Sequence, residues 1–218
     1  MPQDAYPADS DVEALVTGSG VSVPSNFIFT GYASAAIAEF EKLTGYEPFF
    51  ADGTDRTRKF DPPGATPNAR AFAMQRGGER VLALQSGIVS VTSLTVSGKT
   101  CVLGTDYRLR PANADAKGRP WTWIEFMVPQ WGQPDDVLVT GKWGYSLQVP
   151  DDAWQAIVRL AACRVAEDIL QGIFASPTTQ KEGNEVETQD SFRELGAAWQ
   201  AFVDRTIAAY KLTTGALR

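Results

Sequence analysis

Histidine is missing from this chain altogether. That removes the commonest general base, the commonest metal ligand and any Ser–His or Cys–His nucleophile pair. Cysteine is scarce: Cys101 and Cys163 are the two in 218 residues. One falls in an expected strand and one in an expected helix, so both read as buried, reduced thiols with no disulfide framework. No stretch approaches about eighteen uninterrupted apolar residues, and no membrane span is expected. The opening MPQDAYPADSD is acidic and lacks an apolar run. It does not read as a signal peptide, which implies synthesis and assembly in a cytoplasm.

What is present is an ordinary globular composition, 44% hydrophobic and 21% charged, in a chain long enough for one domain with a sizeable core or one domain with an inserted subdomain. The net charge of −6 is unevenly spread. Residues 1–55 carry nine acids and one base, residues 56–119 eleven bases and four acids, and residues 120–218 eight bases and thirteen acids. Blocks of opposite sign suit a subunit whose faces complement one another in self-association. Arg56, Arg58, Lys59, Arg70 and Arg76 lie in the basic block and are the candidate subunit contacts, facing an acidic N-terminal block. Interleaved Phe60 and Phe72 also make a nucleic-acid surface conceivable, but the segment matches no reading module and the sequence pI is about 4.8.

Along the chain, Asp9 or Ser10 is expected to cap a short helix through Val16, ended by Gly18-Ser19-Gly20. Ser25 or Asn26 opens a second helix to about Thr44, with Phe29, Tyr32, Ala33, Ala36, Ile37, Phe40 and Leu43 as its apolar stripe. Gly45 suits the left-handed position beyond its end. Residues 45–79 read as loops with a short strand near Thr57–Phe60. Strands follow at Arg80–Gln85, Ile88–Val96, Thr100–Leu103, Tyr107–Arg110, Trp121–Val128 and Val137–Trp143, with Ser97-Gly98-Lys99 as a turn. Short strands split by turns argue for an antiparallel sheet. Pro150, Asp151 and Asp152 open a helix to Gly172, with a stripe of Trp154, Ile157, Val158, Ala161, Val165 and Ile169. The polar run 175–189 reads as a mobile loop, Ser191–Tyr210 as a last helix, and 211–218 as a tail. The expected fold class is α+β. A small helical bundle from 1–46 and 150–210, with two N-terminal and two C-terminal helices, carries an inserted antiparallel β-rich lobe at 47–149.

Motifs that hint at chemistry dissolve on inspection. Ser97-Gly98-Lys99-Thr100 ends like a phosphate-binding loop, but position 93 is serine where that loop needs glycine, and β-forming residues follow. Gly144-Tyr145-Ser146 begins like a nucleophile elbow but lacks the second glycine. The pairs Asp52 with Asp55, Asp135-Asp136 and Asp151-Asp152 have ordinary roles in turns and at a helix start. No enzyme activity, no cofactor and no metal is expected.

Three anchors carry a family resemblance. The first is the N-terminal helical pair, ending Phe40-Glu41-Lys42-Leu43-Thr44-Gly45-Tyr46. The second is Ile88 to Val96, followed by Gly104-Thr105-Asp106-Tyr107-Arg108-Leu109. The third is Val139-Thr140-Gly141-Lys142-Trp143-Gly144-Tyr145, with Val149-Pro150 opening a long Ala-rich helix. In this order they resemble the head–tail connector (adaptor) family of long-tailed bacteriophages, over about residues 9–172. The resemblance implies a dodecameric ring that binds the portal protein in the virion neck, a downstream stopper or tail protein, and genomic DNA passing through without sequence-specific binding. It also implies a portal-contacting C-terminus, here Phe192, Trp199, Phe202, Arg205, Tyr210, Lys211 and Arg218.

Two other readings stand beside it. Another neck component, a stopper or tail-completion protein, is the first, although such proteins tend to be small β barrels with little helix. The second is a carbohydrate- or protein-binding β module displaying Trp121, Trp123, Trp131 and Trp143 as an aromatic platform.

Overall fold

In a computed structural model, the chain is described over residues 3–20, 23–46, 48–62, 81–128, 135–175 and 183–211, the side chains of 85, 172–175 and 183–192 excepted. The element order is α1 (Asp9–Gly18), α2 (Tyr32–Thr44), β1 (Arg56–Phe60), β2 (Val81–Val96), β3 (Lys99–Thr100), β4 (Tyr107–Arg110), β5 (Trp121–Phe126), β6 (Val137–Trp143), α3 (Asp151–Ala175) and α4 (Gly183–Tyr210). This is the expected α+β class. The chain divides into two compact units, one holding Met1–Thr44 with Val149–Lys211 and the other Gly45–Gln148.

In the helical unit α3 packs against α1, α2 and α4. The sequence suggests one apolar stripe on α3, yet Ala153, Ala156, Ile157, Val158, Leu160, Ala161, Ala162, Val165, Ala166 and Ile169 are all buried. A helix touched from several sides must be apolar nearly all round, and its alanines let the neighbours approach closely. Trp154, expected on the stripe, is only half-buried.

The helix starts differ from expectation for local reasons. Ala8 stands at the N-cap of α1, and Asp11 accepts its N–H at 2.7 Å. Asp9 is instead the first helical residue, and its carboxylate accepts the N–H groups of Gly31 at 2.9 Å and Ala33 at 2.8 Å. That remote cap starts α2 at Tyr32 rather than near Ser25. Gly31, at φ +94°, stops the helix from extending backwards. Ala33, Ala36, Phe40 and Thr44 then form the buried face of α2, and Leu43 is exposed. Thr44 returns its hydroxyl to the Phe40 carbonyl at 2.7 Å, and Gly45 follows in the left-handed region. The last helix opens at Gly183, so the second half of the expected 175–189 loop is helical. Residues 176–182 and the tail 212–218 lie outside the described residues.

Among the described residues the lobe holds one six-stranded antiparallel sheet ordered β1-β6-β2-β5-β4, with β3 paired to the end of β2. The two strands expected on either side of Ser86-Gly87 are one 16-residue strand. Its first half pairs with β5 and its second with β6, through register shifts that let a single strand serve both neighbours. At the handover the Gly87 carbonyl accepts the Gly144 N–H at 2.9 Å. Ser97 and Gly98 both have positive φ (47° and 78°), the backbone of a tight hairpin turn into β3. β3 is only two residues long. The Asp106 carboxylate accepts the Val102 N–H at 2.8 Å and bends the chain there, leaving Cys101 past the strand. Leu82, Leu84, Ile88, Leu94, Tyr107, Ile124, Phe126, Val137, Val139 and Trp143 make the core. Gly141 sits in the β2–β6 pairing, where an added Cβ would lie 2.0 Å from the Ser90 carbonyl oxygen.

Candidate assembly surfaces

β1 is an edge strand, paired through Arg56–Phe60 to Gly141–Val137 of β6. Burial in β6 alternates: Val137, Val139, Gly141 and Trp143 point into the core, while Leu138, Thr140 and Lys142 are half-buried on the other face. Thr57 opposes Thr140 and Lys59 opposes Leu138, so Thr57 and Lys59 share that outer face. The Thr57 and Thr140 hydroxyls lie 2.7 Å apart.

The candidate subunit contacts fare differently one from another. Arg56 is engaged at home, its guanidinium 2.6 Å from the Asp52 carboxylate. Arg58 lies 4.5 Å above the Trp143 ring and donates to the buried Ser86 hydroxyl. Lys59 is exposed, and its side chain makes no hydrogen bond or ion pair among the described residues. Arg70 and Arg76 lie outside the described residues.

On α4, Trp199 is 7% exposed and Val203 and Thr206 are buried, forming its packing face. Phe202 is half-buried, with two guanidiniums over its ring, Arg159 at 4.5 Å and Arg205 at 5.5 Å from the ring centre. The Tyr210 hydroxyl donates to Asp152 at 2.6 Å, and Lys211 is exposed. The side chain of Phe192 and the whole of Arg218 lie outside the described residues. Arg205 and Lys211 are thus the exposed members of the expected portal set among the described residues.

The aromatic platform does not form as expected. Trp143 is 2% exposed, because inward alternation in β6 carries its ring into the core, and Trp123 is 7% exposed although it lies on the other face of β5 from the core residues Ile124 and Phe126. Trp121 is half-buried, and Trp131 lies outside the described residues.

The acidic pairs have local partners. Asp52 accepts the Thr54 N–H at 3.0 Å, and that bond, ahead of the Arg56 charge, holds its carboxyl below the usual range. Ser97 donates its hydroxyl to Asp136 at 2.9 Å. Asp151 and Asp152 stand in the first turn of α3. Among the described residues no three Cys, Asp or Glu side chains are grouped to hold a metal ion. No described helix is long and apolar enough to cross a membrane.

One feature of the helical unit was not legible in the sequence. An open cleft of about 830 Å³ runs between the 28–31 loop, α2, α3 and α4. Ile28, Ala35 and Leu160 supply apolar wall, and Ile28 is 73% exposed. The polar wall holds Glu167, Asp168 and the Glu39–Arg164 ion pair. Tyr32 donates to Asp168; burial first, then that bond, pushes its hydroxyl up to about 12. Cys163 is buried, donates to the Gly196 carbonyl at 3.6 Å, and is held by desolvation at about 11. These residues come from segments more than a hundred positions apart, and no spacing rule joins them.

No family model and no curated protein matches the sequence. Among solved structures, a chain in the neck of a native GTA particle computed with C12 symmetry is similar at a TM-score of 0.42 and 15% identity, over 91% of this chain and 94% of that one.

Proposed function

We propose that the chain is a structural virion protein of the head–tail connector type. It forms a ring, dodecameric as in the family it resembles, between the portal and a downstream stopper or tail component in the neck. It extends the channel for genomic DNA and works by assembly rather than catalysis.

The observation that carries this reading is how the resembling segments lie within the fold. Ile88–Val96 and Val139–Trp143 are adjacent, paired strands, and Gly104–Leu109 turns into a third strand of the same sheet. The chain leaves β6 through Val149-Pro150 directly into α3, the helix on which α1 and α2 pack. Segments read separately in the sequence therefore belong to one sheet and to the helix that follows it.

The charge distribution adds support. Residues 1–44 and 149–211 hold sixteen acids and seven bases, whereas residues 45–148 hold ten acids and twelve bases. A ring needs two different patches that meet around the circle, and units of opposite sign offer them. A net negative protein also suits a conduit that must not grip phosphates.

The test is to co-express the chain with the portal protein of the same genome and image the product by electron microscopy. A ring seated under the portal is the expected result. A chain that stays monomeric and never joins the portal overturns the proposal.

A further inference from the structure

The ring reading leaves open which surfaces meet. We infer that the cleft between α2, α3 and α4 receives the outer face of the β1–β6 edge from a second copy of this chain, with Lys59 entering against Glu167 and Asp168. This rests on the ring reading and specifies its interface.

Three observations commit the cleft to that occupant. It is open, and Ile28 stands 73% exposed on its wall, a large apolar side chain that association would cover. Its charged lining is Glu39, Arg164, Glu167 and Asp168, three acids against one base, so it favours a cation. Arg164 is already committed to Glu39. Lys59 is the complement. It sits on an edge strand, is exposed, and its side chain makes no hydrogen bond or ion pair among the described residues. Lys142 shares its face of the sheet. Arg56 and Arg58 point the choice the same way, because each is held by its own lobe.

The contact is heterologous, lobe to helical unit, so each associated pair keeps one free lobe face and one free cleft and the pattern propagates until it closes. Charge at its rim makes it weaken with salt.

The test uses the full chain. Copies labelled with 15N are mixed with unlabelled copies and treated with a zero-length carbodiimide, and lysine–carboxylate cross-links are mapped by mass spectrometry. The expected product is a mixed-isotope link from Lys59 to Glu167 or Asp168. In parallel, Lys59→Glu and Glu167→Lys are each expected to raise the concentration for half-assembly by roughly tenfold. The double reversal is expected to recover most of that loss. Both residues are exposed, so neither substitution removes core packing, and circular dichroism checks the fold. Rings that form without this link and ignore both single reversals overturn the inference while leaving the ring reading standing. A wild-type chain that never assembles overturns both. A double reversal no better than the worse single variant also overturns the pairing.

Discussion

Asp9 opens α1, yet its carboxylate accepts the backbone N–H of Ala33 at 2.8 Å, in the first turn of α2. With the second bond from Gly31 at 2.9 Å, one side chain fixes where a helix begins more than twenty residues later. Caps of this kind are worth about 0.5–2 kcal/mol. Asp9→Ala is expected to lower the stability of the helical unit by about that much. Asp9→Asn, which keeps an acceptor oxygen, is expected to cost less. Thermal unfolding followed at 222 nm measures both. An unchanged midpoint for Asp9→Ala would show that Gly31 alone stops the helix.

Arg58 is placed for the lobe's own stability. Its guanidinium covers Trp143, whose indole N–H donates to the Arg56 carbonyl at 2.8 Å, and it also satisfies Ser86, which is 3% exposed. Arg58→Ala leaves a buried hydroxyl without its donor and a ring without its cover, an expected loss of about 1–3 kcal/mol. Arg58→Lys keeps the charge but not the planar stack, and is expected to fall between. Denaturant unfolding monitored by tryptophan fluorescence checks the order. If Arg58→Ala is neutral, the stabilising role assigned to Arg58 is withdrawn.

Tyr46 sets an alkaline limit on the fold. It is 5% exposed and meets Phe49 and Tyr145 edge-on, with ring centres 5.9 and 5.4 Å away. Desolvation, then the neighbouring Tyr145, outweigh the opposing charge of Arg119 and push its hydroxyl up to about 12. Unfolded tyrosine ionises near 10. Below that value both states keep the proton, and the contribution to stability is complete. Between about 10 and 12 the unfolded chain releases a proton that the native chain retains, so stability falls as pH rises. Tyr46→Phe is expected to flatten that fall by on the order of 2 kcal/mol. Urea midpoints from pH 9 to 12, with absorbance at 295 nm, provide the measurement. Equal slopes in wild type and variant would contradict the assignment.

The regular elements were legible where one local signal dominates. β4 and β6 fall at their expected residues, because alternation and flanking turns bound them on both sides. Pro150-Asp151-Asp152 marked the start of α3 for the same reason. The misses share a cause, which is that the deciding partner is remote. Asp9 starts α2 from across the unit, a register handover between β5 and β6 keeps β2 continuous through Ser86-Gly87, and helices on several sides bury α3 beyond a single stripe. The candidate surfaces follow the same rule. Composition found the basic run at 56–59, but only the packing distinguished Lys59 from Arg56 and Arg58. The cleft joins Tyr32 to Asp168, a contact that no local pattern announces.

The packing of α4 also decides how its proposed portal role must be tested. Deleting 191–218 would remove Trp199, Val203 and Thr206 from the interior of the helical unit, and lost binding would then report unfolding. A stop after Lys211 removes 212–218, including Arg218, and keeps the whole of α4. That truncation is expected to leave the 222 nm melting curve unchanged and to reduce co-purification with the portal. Adding Arg205→Glu and Lys211→Glu, both exposed positions, should reduce it further, and more so at low salt. If all three changes together leave portal binding intact, the contact lies elsewhere on the chain, and the assignment of this end to the portal is withdrawn.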